Sequence, residues 1–116
     1  MILIDLNQLL KKIVIEVANE NDVTLNEKMI EQVEFEISAE KSRGDFATSC
    51  CLKLAKNFKK KPVELAEIIA ANLSDKRIEN IKIEGPGFIN IFISAETKSE
   101  LLKNIIIEGD NLSLIH

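Results

Sequence analysis

The segment IEGPGFINIFIS, residues 83–94, combines a glycine-rich turn with a run of alternating apolar side chains. Gly85-Pro86-Gly87 is typical of a tight reversal between two strands. Because a strand places successive side chains on opposite faces, the isoleucines at 89, 91 and 93 share one face. Phe88, Asn90 and Phe92 share the other. The segment therefore predicts an antiparallel hairpin with one aliphatic face and one face that carries an amide between two aromatic rings.

Hydrophobic periodicity predicts four helices, one strand before the hairpin and the strand that enters it. Apolar residues recur at helical spacing over residues 3–20, and Val33, Phe35 and Ile37 then alternate with polar residues as a first strand. Just before the turn, Ile81 and Ile83 alternate with charged residues in the strand that enters the hairpin. We expect the isoleucine face of the hairpin to be buried against the helices.

The ends of three helices are marked by capping signals. Asp45 is positioned to cap a helix whose buried stripe runs from Phe46 to Phe58, and Pro62 fits the first turn of the next helix. Ser94 can cap a final helix, which Gly109 would end. The predicted order is helix, strand, helix, helix, strand, strand, helix.

The predicted fold class is α+β, with a small antiparallel sheet of about three strands packed against about four helices. A chain of 116 residues is long enough for one domain with its own core. We expect residues 1–109 to form this domain and residues 110–116 to begin a connection to something further.

The composition excludes several classes of protein. A net charge of -4 argues against bulk binding of polyanions, because such binding needs many lysines and arginines. Positive residues do cluster at 53–61, where a solvated helix end is the simplest explanation. The N-terminal segment lacks a basic leader and a cleavage site, so we expect neither a signal peptide nor a membrane span.

Catalytic chemistry has little support in the sequence. His116 is the only histidine, and no phosphate-binding glycine loop or nucleophile elbow is present. Cys50 and Cys51 are adjacent, a spacing that suits neither a redox pair nor a zinc site. We therefore expect two reduced, buried thiols in a cytosolic protein. Neither is expected to be a catalytic nucleophile, because a nucleophilic cysteine would need a base that is missing here.

The mixed face of the hairpin has two interpretations. A ring beside an amide suits recognition of an unpaired base, since the ring stacks on the base and the amide bonds to its edge. Phe88 and Asn90 would supply these groups. Alternatively, Phe88 and Phe92 fill a second small core and Asn90 bonds a neighbouring loop. The pattern alone favours this structural interpretation.

An ordered set of motifs instead favours base recognition over the structural interpretation. The segments GDFATSCCLKLAKNFKKKPVELAEIIAANL and IENIKIEGPGFINIFIS resemble the N-terminal additional domain of bacterial-type arginyl-tRNA synthetases. That family has a G-D-[FY]-x-[AST] segment, an L-A-K helix, an N-P or K-P helix start and a G-P-G-F-I-N hairpin in this order. The match is dense from about Ser38 to Ser94.

The resemblance implies a domain that contacts the D-loop, at the outer corner of tRNA, through Phe88 and Asn90. Lys82 is the best candidate for a phosphate contact. The expected partners are an arginine-accepting tRNA and the protein's own catalytic domain, in a cytoplasmic monomer. The chain itself would be no enzyme and would hold no cofactor, whereas its parent, an arginine-tRNA ligase, would use ATP and Mg²⁺. A protein-docking module that uses the Phe88 and Phe92 face is the competing expectation.

Overall fold

The computed structural model describes residues 2–38 and 40–99, apart from the side chain of Lys41. The helices are α1 (Ile2–Glu20), α2 (Glu27–Glu31), α3 (Cys50–Phe58) and α4 (Pro62–Asn72). The strands are β1 (Glu36–Ile37), β2 (Phe46–Thr48), β3 (Ile78–Glu84) and β4 (Phe88–Ile93), and a 3-10 turn covers Lys41–Arg43. Residues 95–99 are helical. The rest of the predicted final helix and its end at Gly109 lie outside the described residues.

The strands form one antiparallel sheet in the order β1-β2-β4-β3, and this confirms the α+β class. Strand β4 lies in the interior of the sheet, where Ile89 and Ile91 are fully buried. Together with Ile93 they belong to a core that also contains the buried faces of α1, α3 and α4. The predicted division of the hairpin into a buried isoleucine face and an outer mixed face is therefore confirmed.

Strand β2 was missed by the sequence prediction. Phe46 and Ala47 do not begin a helix, because they pair with Ile91 and Asn90 of β4 and leave the helix to start at Cys50. Asp45 does not cap that helix either. Its carboxylate accepts a hydrogen bond from the backbone N–H of Ile93 at 2.8 Å, so the prediction of a helix cap at Asp45 was wrong. Pairing with a distant strand outweighs the local helical pattern here.

The first strand is shorter than predicted, and the helix before it was missed. Val33 and Phe35 are buried, as their alternation indicates, but only Glu36 and Ile37 pair with β2. Ile37 is 68% exposed. The N–H of Phe35 donates instead to the Asn7 side chain of α1 at 2.7 Å, so the strand begins only at Glu36. The missed helix α2 begins where Asn26 accepts a hydrogen bond from the Met29 N–H.

The later helix signals are confirmed. Pro62 occupies the first turn of α4, and Ser94 caps the helical residues after it by accepting from the Thr97 N–H at 3.2 Å. The hairpin turn packs directly on the start of α4. A Cβ atom at Gly87 would lie 2.7 Å from Pro62 Cβ, so only glycine fits at this contact. The turn is thereby held in place relative to the helical layer.

Candidate functional site

A pocket of about 410 Å³ opens on the outer face of the sheet. The connection between β1 and β2 borders it on one side and the β3–β4 turn borders it on the other. Between them lie two neighbouring positions of the sheet, Ala47 of β2 and Asn90 of β4, which face each other in register. The described residues that line the pocket are Ser38, Glu40, Arg43, Ala47, Glu84, Gly85, Phe88 and Asn90.

Asn90 presents an unpartnered amide to this pocket. The residue is only 6% exposed, yet its side chain makes no hydrogen bond within residues 2–38 and 40–99. No fully buried side-chain nitrogen or oxygen of the described residues lacks a partner, so solvent reaches the Asn90 amide through the pocket. Its neighbour Ala47 carries only a methyl group and leaves room above the sheet. The Asn90 amide is therefore available to a ligand that enters the pocket.

Phe88 supplies an aromatic ring at the edge of the same pocket. It is the first residue of β4, stands opposite Glu84 and is 39% exposed. One residue, Ile89, separates it from Asn90 along an extended strand, so both side chains project from the same face. The structure thus brings the two predicted recognition residues together around one cavity.

The charges around the pocket were not predicted. Arg43 lies at the end of the 3-10 turn, and its Nε is 3.2 Å from a carboxylate oxygen of Glu40. Glu84 adds a second carboxylate on the side of the hairpin. Local patterns do not indicate this arrangement, because Ser38, Glu40 and Arg43 reach the pocket only through the pairing of β2 with β4.

Lys82, the predicted phosphate contact, stands beside Asn90 in the register of β3 and β4. Its ammonium nitrogen, however, lies 5.5 Å from the centre of the Phe92 ring. Such cation–π contacts stabilise exposed sites by about 0.5–1 kcal/mol. Lys82 is therefore next to the pocket without lining it, and it shields part of the second aromatic ring.

The two thiols are buried and do not form a disulfide with each other. A hydrogen bond between them lowers the pKa of Cys50 and raises the pKa of Cys51, and burial acts in the upward direction on both. Neither sulfur is accessible to a substrate. In the described part of the chain, no group of three or more potential ligands could hold a metal ion, and no helix is long and apolar enough to cross a membrane.

Comparisons with known proteins agree with this fold. A sequence profile described as "Arginyl tRNA synthetase N terminal domain" matches residues 4–93. The chain is 36% identical over 111 residues to the arginine-tRNA ligase of Caldanaerobacter subterraneus subsp. tengcongensis, a match that covers 92% of this chain and 20% of the ligase. The arginine-tRNA ligase of Oceanobacillus iheyensis is 36% identical over 87 residues, which are 73% of this chain and 16% of that protein.

A solved structure shares the fold. The arginyl-tRNA synthetase of Plasmodium falciparum superposes with a TM-score of 0.64 at 15% identity, over 82% of this chain and 16% of that one. The α+β architecture and the profile match together define a synthetase appended domain. The chain belongs to the arginyl-tRNA synthetase N-terminal domain family. It spans about a fifth or less of the length of the curated relatives it matches.

Proposed function

We propose that this chain is the tRNA-contacting domain of an arginine-tRNA ligase and that its pocket binds an unpaired base of the tRNA D-loop. The observation that carries the proposal is the unpartnered Asn90 amide beside the exposed Phe88 ring. Family membership and the named ligases support the parent activity. The residues that line the pocket support contact with an unpaired base.

Each residue has a distinct part in the proposed contact. The Phe88 ring stacks on the face of the base, a contact of about 1–3 kcal/mol in single-stranded recognition. The Asn90 amide offers a donor and an acceptor to the edge of the base. Lys82 leaves the Phe92 ring and binds a phosphate nearby. A pocket of about 410 Å³ is large enough for one nucleobase.

The chemical step belongs to another part of the ligase in this proposal. Arginine is attached there, with ATP and Mg²⁺, while this domain contributes tRNA binding and works as a cytoplasmic monomer joined to its catalytic domain. The chain's net charge of -4 limits long-range attraction to tRNA. We therefore expect the isolated domain to bind tRNA weakly and selectively.

Docking of another protein surface on the Phe88 and Phe92 face fits the structure less well. The two rings are separated along β4 by Asn90, and the Lys82 ammonium lies over the Phe92 ring. An apolar docking surface would need the two rings to form one continuous surface with no charged group over it. It would also leave the Asn90 amide without a partner at a buried interface.

The proposal is tested by titrating the isotope-labelled chain with a D-arm RNA hairpin and following backbone amide signals. Base binding predicts shifts concentrated at 84–91 and around Ala47, together with loss of affinity on Asn90→Ala and on Phe88→Ala. A hairpin whose loop base is replaced by an abasic site is the matched control. Shifts that are the same with the abasic hairpin, or that lie elsewhere on the domain, would contradict the proposal.

Binding of the same variants to the rest of the ligase tests the docking alternative. If the surface docks a protein, binding to the rest of the ligase should fail with Phe92→Ala, tolerate Asn90→Ala and change little with salt. Base binding predicts the opposite ranking of the two variants and a clear salt dependence from the phosphate contacts.

A further inference from the structure

We infer that Arg43 is a further tRNA-binding residue of this site, which exchanges its contact with Glu40 for a phosphate next to the bound base. This inference rests on the proposed function, because it names an additional contact of the same pocket. Neither the family match nor the named relatives assign a role to Arg43 or Glu40.

The topology places Arg43 where a phosphate should pass. Phe88 and Gly85 border the pocket on the hairpin side, and Arg43 borders it on the side of the β1–β2 connection, with Asn90 between them. A base that stacks on Phe88 and reaches Asn90 has its sugar and phosphate directed toward an open side of the pocket. Arg43 is the basic residue among the described lining residues, and its side chain is 66% exposed, so its charge is accessible to a phosphate outside the pocket.

The contact between Arg43 and Glu40 is easily exchanged. Their side chains are 66% and 63% exposed, so water screens the pair, and exposed ion pairs contribute only about 0–1 kcal/mol. A guanidinium binds phosphate through two parallel hydrogen bonds, which are stronger than a single contact with a screened carboxylate. The unbound protein therefore holds Arg43 near the pocket at little energetic cost.

The surrounding charges make such a cation necessary. Glu40 and Glu84 both line the pocket, so without Arg43 the described lining would present two negative charges to an RNA backbone. The positive charge of Arg43 offsets the repulsion between these two carboxylates and the RNA backbone. Glu40 has a double effect, since it positions Arg43 and competes with the RNA for it.

The test is a four-variant cycle of RNA binding in which wild type, Arg43→Ala, Glu40→Gln and the double variant bind the D-arm hairpin at several salt concentrations. We expect Arg43→Ala to weaken binding about tenfold and to reduce the slope of log affinity against log salt by roughly 0.7–1. Glu40→Gln should leave affinity unchanged or strengthen it. Within the Glu40→Gln background, Arg43→Ala should still weaken binding about tenfold.

Two controls complete the experiment. Lys76→Ala removes the same charge before the start of β3, at the opposite end of that strand from the pocket, and should change affinity less than twofold. Asn90→Ala reports on the proposed function itself. Thermal unfolding of each variant shows that the exposed substitutions leave the fold intact.

The outcomes distinguish the two claims. If Arg43→Ala binds like wild type while Asn90→Ala binds weakly, the inference fails and the proposed function stands. If the Arg43→Ala loss vanishes in the Glu40→Gln background, the loss came from an uncovered Glu40 charge, and the inference fails again. Normal binding by both single variants at 43 and 90 would overturn both claims.

Discussion

The carboxylate of Asp45 accepts a hydrogen bond from the backbone N–H of Ile93 at 2.8 Å and joins the start of β2 to the end of β4. The Asp45 N–H donates in turn to the Ile91 carbonyl at 2.8 Å, and Lys98 Nζ lies 3.2 Å from the same carboxylate. Asp45 is buried. This residue fixes β2 beside the strand that carries Asn90.

Asp45→Ala should therefore lower the free energy of unfolding by about 2–3 kcal/mol, because it leaves the buried Ile93 N–H without an acceptor. Asp45→Asn keeps an acceptor oxygen and loses only the charge near Lys98, so it should cost about 1 kcal/mol or less. Urea unfolding of the two variants measures both values. Equal losses for alanine and asparagine would show that charge, and not the hydrogen bond, is what matters.

The two glycines of the hairpin turn should differ in their tolerance of alanine. Gly85 has a φ of 57° and room for a Cβ, so Gly85→Ala should cost about 1 kcal/mol from the left-handed backbone alone. Gly87 has a φ of 152°, and its Cβ would lie 2.8 Å from the Pro62 carbonyl carbon. Gly87→Ala should cost roughly 3 kcal/mol or more, because strain and overlap add. Thermal unfolding measures both losses of stability. Similar losses for the two variants would contradict this prediction.

One buried and one exposed phenylalanine should separate an effect on stability from an effect on RNA binding. Phe58 is buried in the core, and Phe58→Ala should lower the free energy of unfolding by about 3–5 kcal/mol. Phe88 is 39% exposed, so Phe88→Ala should cost less than about 1 kcal/mol while it abolishes most RNA affinity. Denaturation and RNA titration of the same samples give both quantities. A large stability loss at Phe88 would assign its ring to the core.

Acid should weaken the ion pair between Asp75 and Arg77, which lies just before β3. Hydrogen bonds from Arg77 hold the pKa of Asp75 at about 2, below its ordinary value of 3.8, and Arg77 also contacts Asp5 of α1. Because the folded pKa is depressed, this stabilisation is complete above pH 4 and is lost as the pH falls toward 2. After allowance for solvent screening it amounts to about 1–2 kcal/mol.

Asp75→Asn is the control that isolates this contribution. The difference in unfolding free energy between wild type and Asp75→Asn should be constant above pH 4.5, at roughly that value, and should shrink between pH 4 and 2. A difference that does not change over this range would exclude the depressed pKa. RNA affinity at neutral pH should be the same for both proteins, since Asp75 precedes β3 and the pocket lies beyond its other end.

Local patterns predicted the hairpin and its two faces, because alternation and the turn glycines depend only on neighbouring residues. They could not predict β2, since Phe46 and Ala47 also fit the apolar stripe of a helix and become a strand only by pairing with β4. The candidate site divides in the same way. Phe88 and Asn90 lie on one strand and were found, whereas Glu40 and Arg43 reach the pocket through that nonlocal pairing and were missed.

If the proposed function is right, arginylation by the full-length ligase gives the most direct test of the base contact. Wild type and Asn90→Ala would each be assayed with tRNA that carries the natural D-loop base or a substituted one, with thermal stability measured in parallel. We predict a drop of roughly tenfold to hundredfold in kcat/KM for Asn90→Ala with natural tRNA, which corresponds to a base contact of about 1–3 kcal/mol. With the substituted tRNA, wild type and variant should be equally poor. Normal activity of Asn90→Ala, or a loss that is the same for both tRNAs and follows a lowered melting temperature, would contradict base recognition by Asn90.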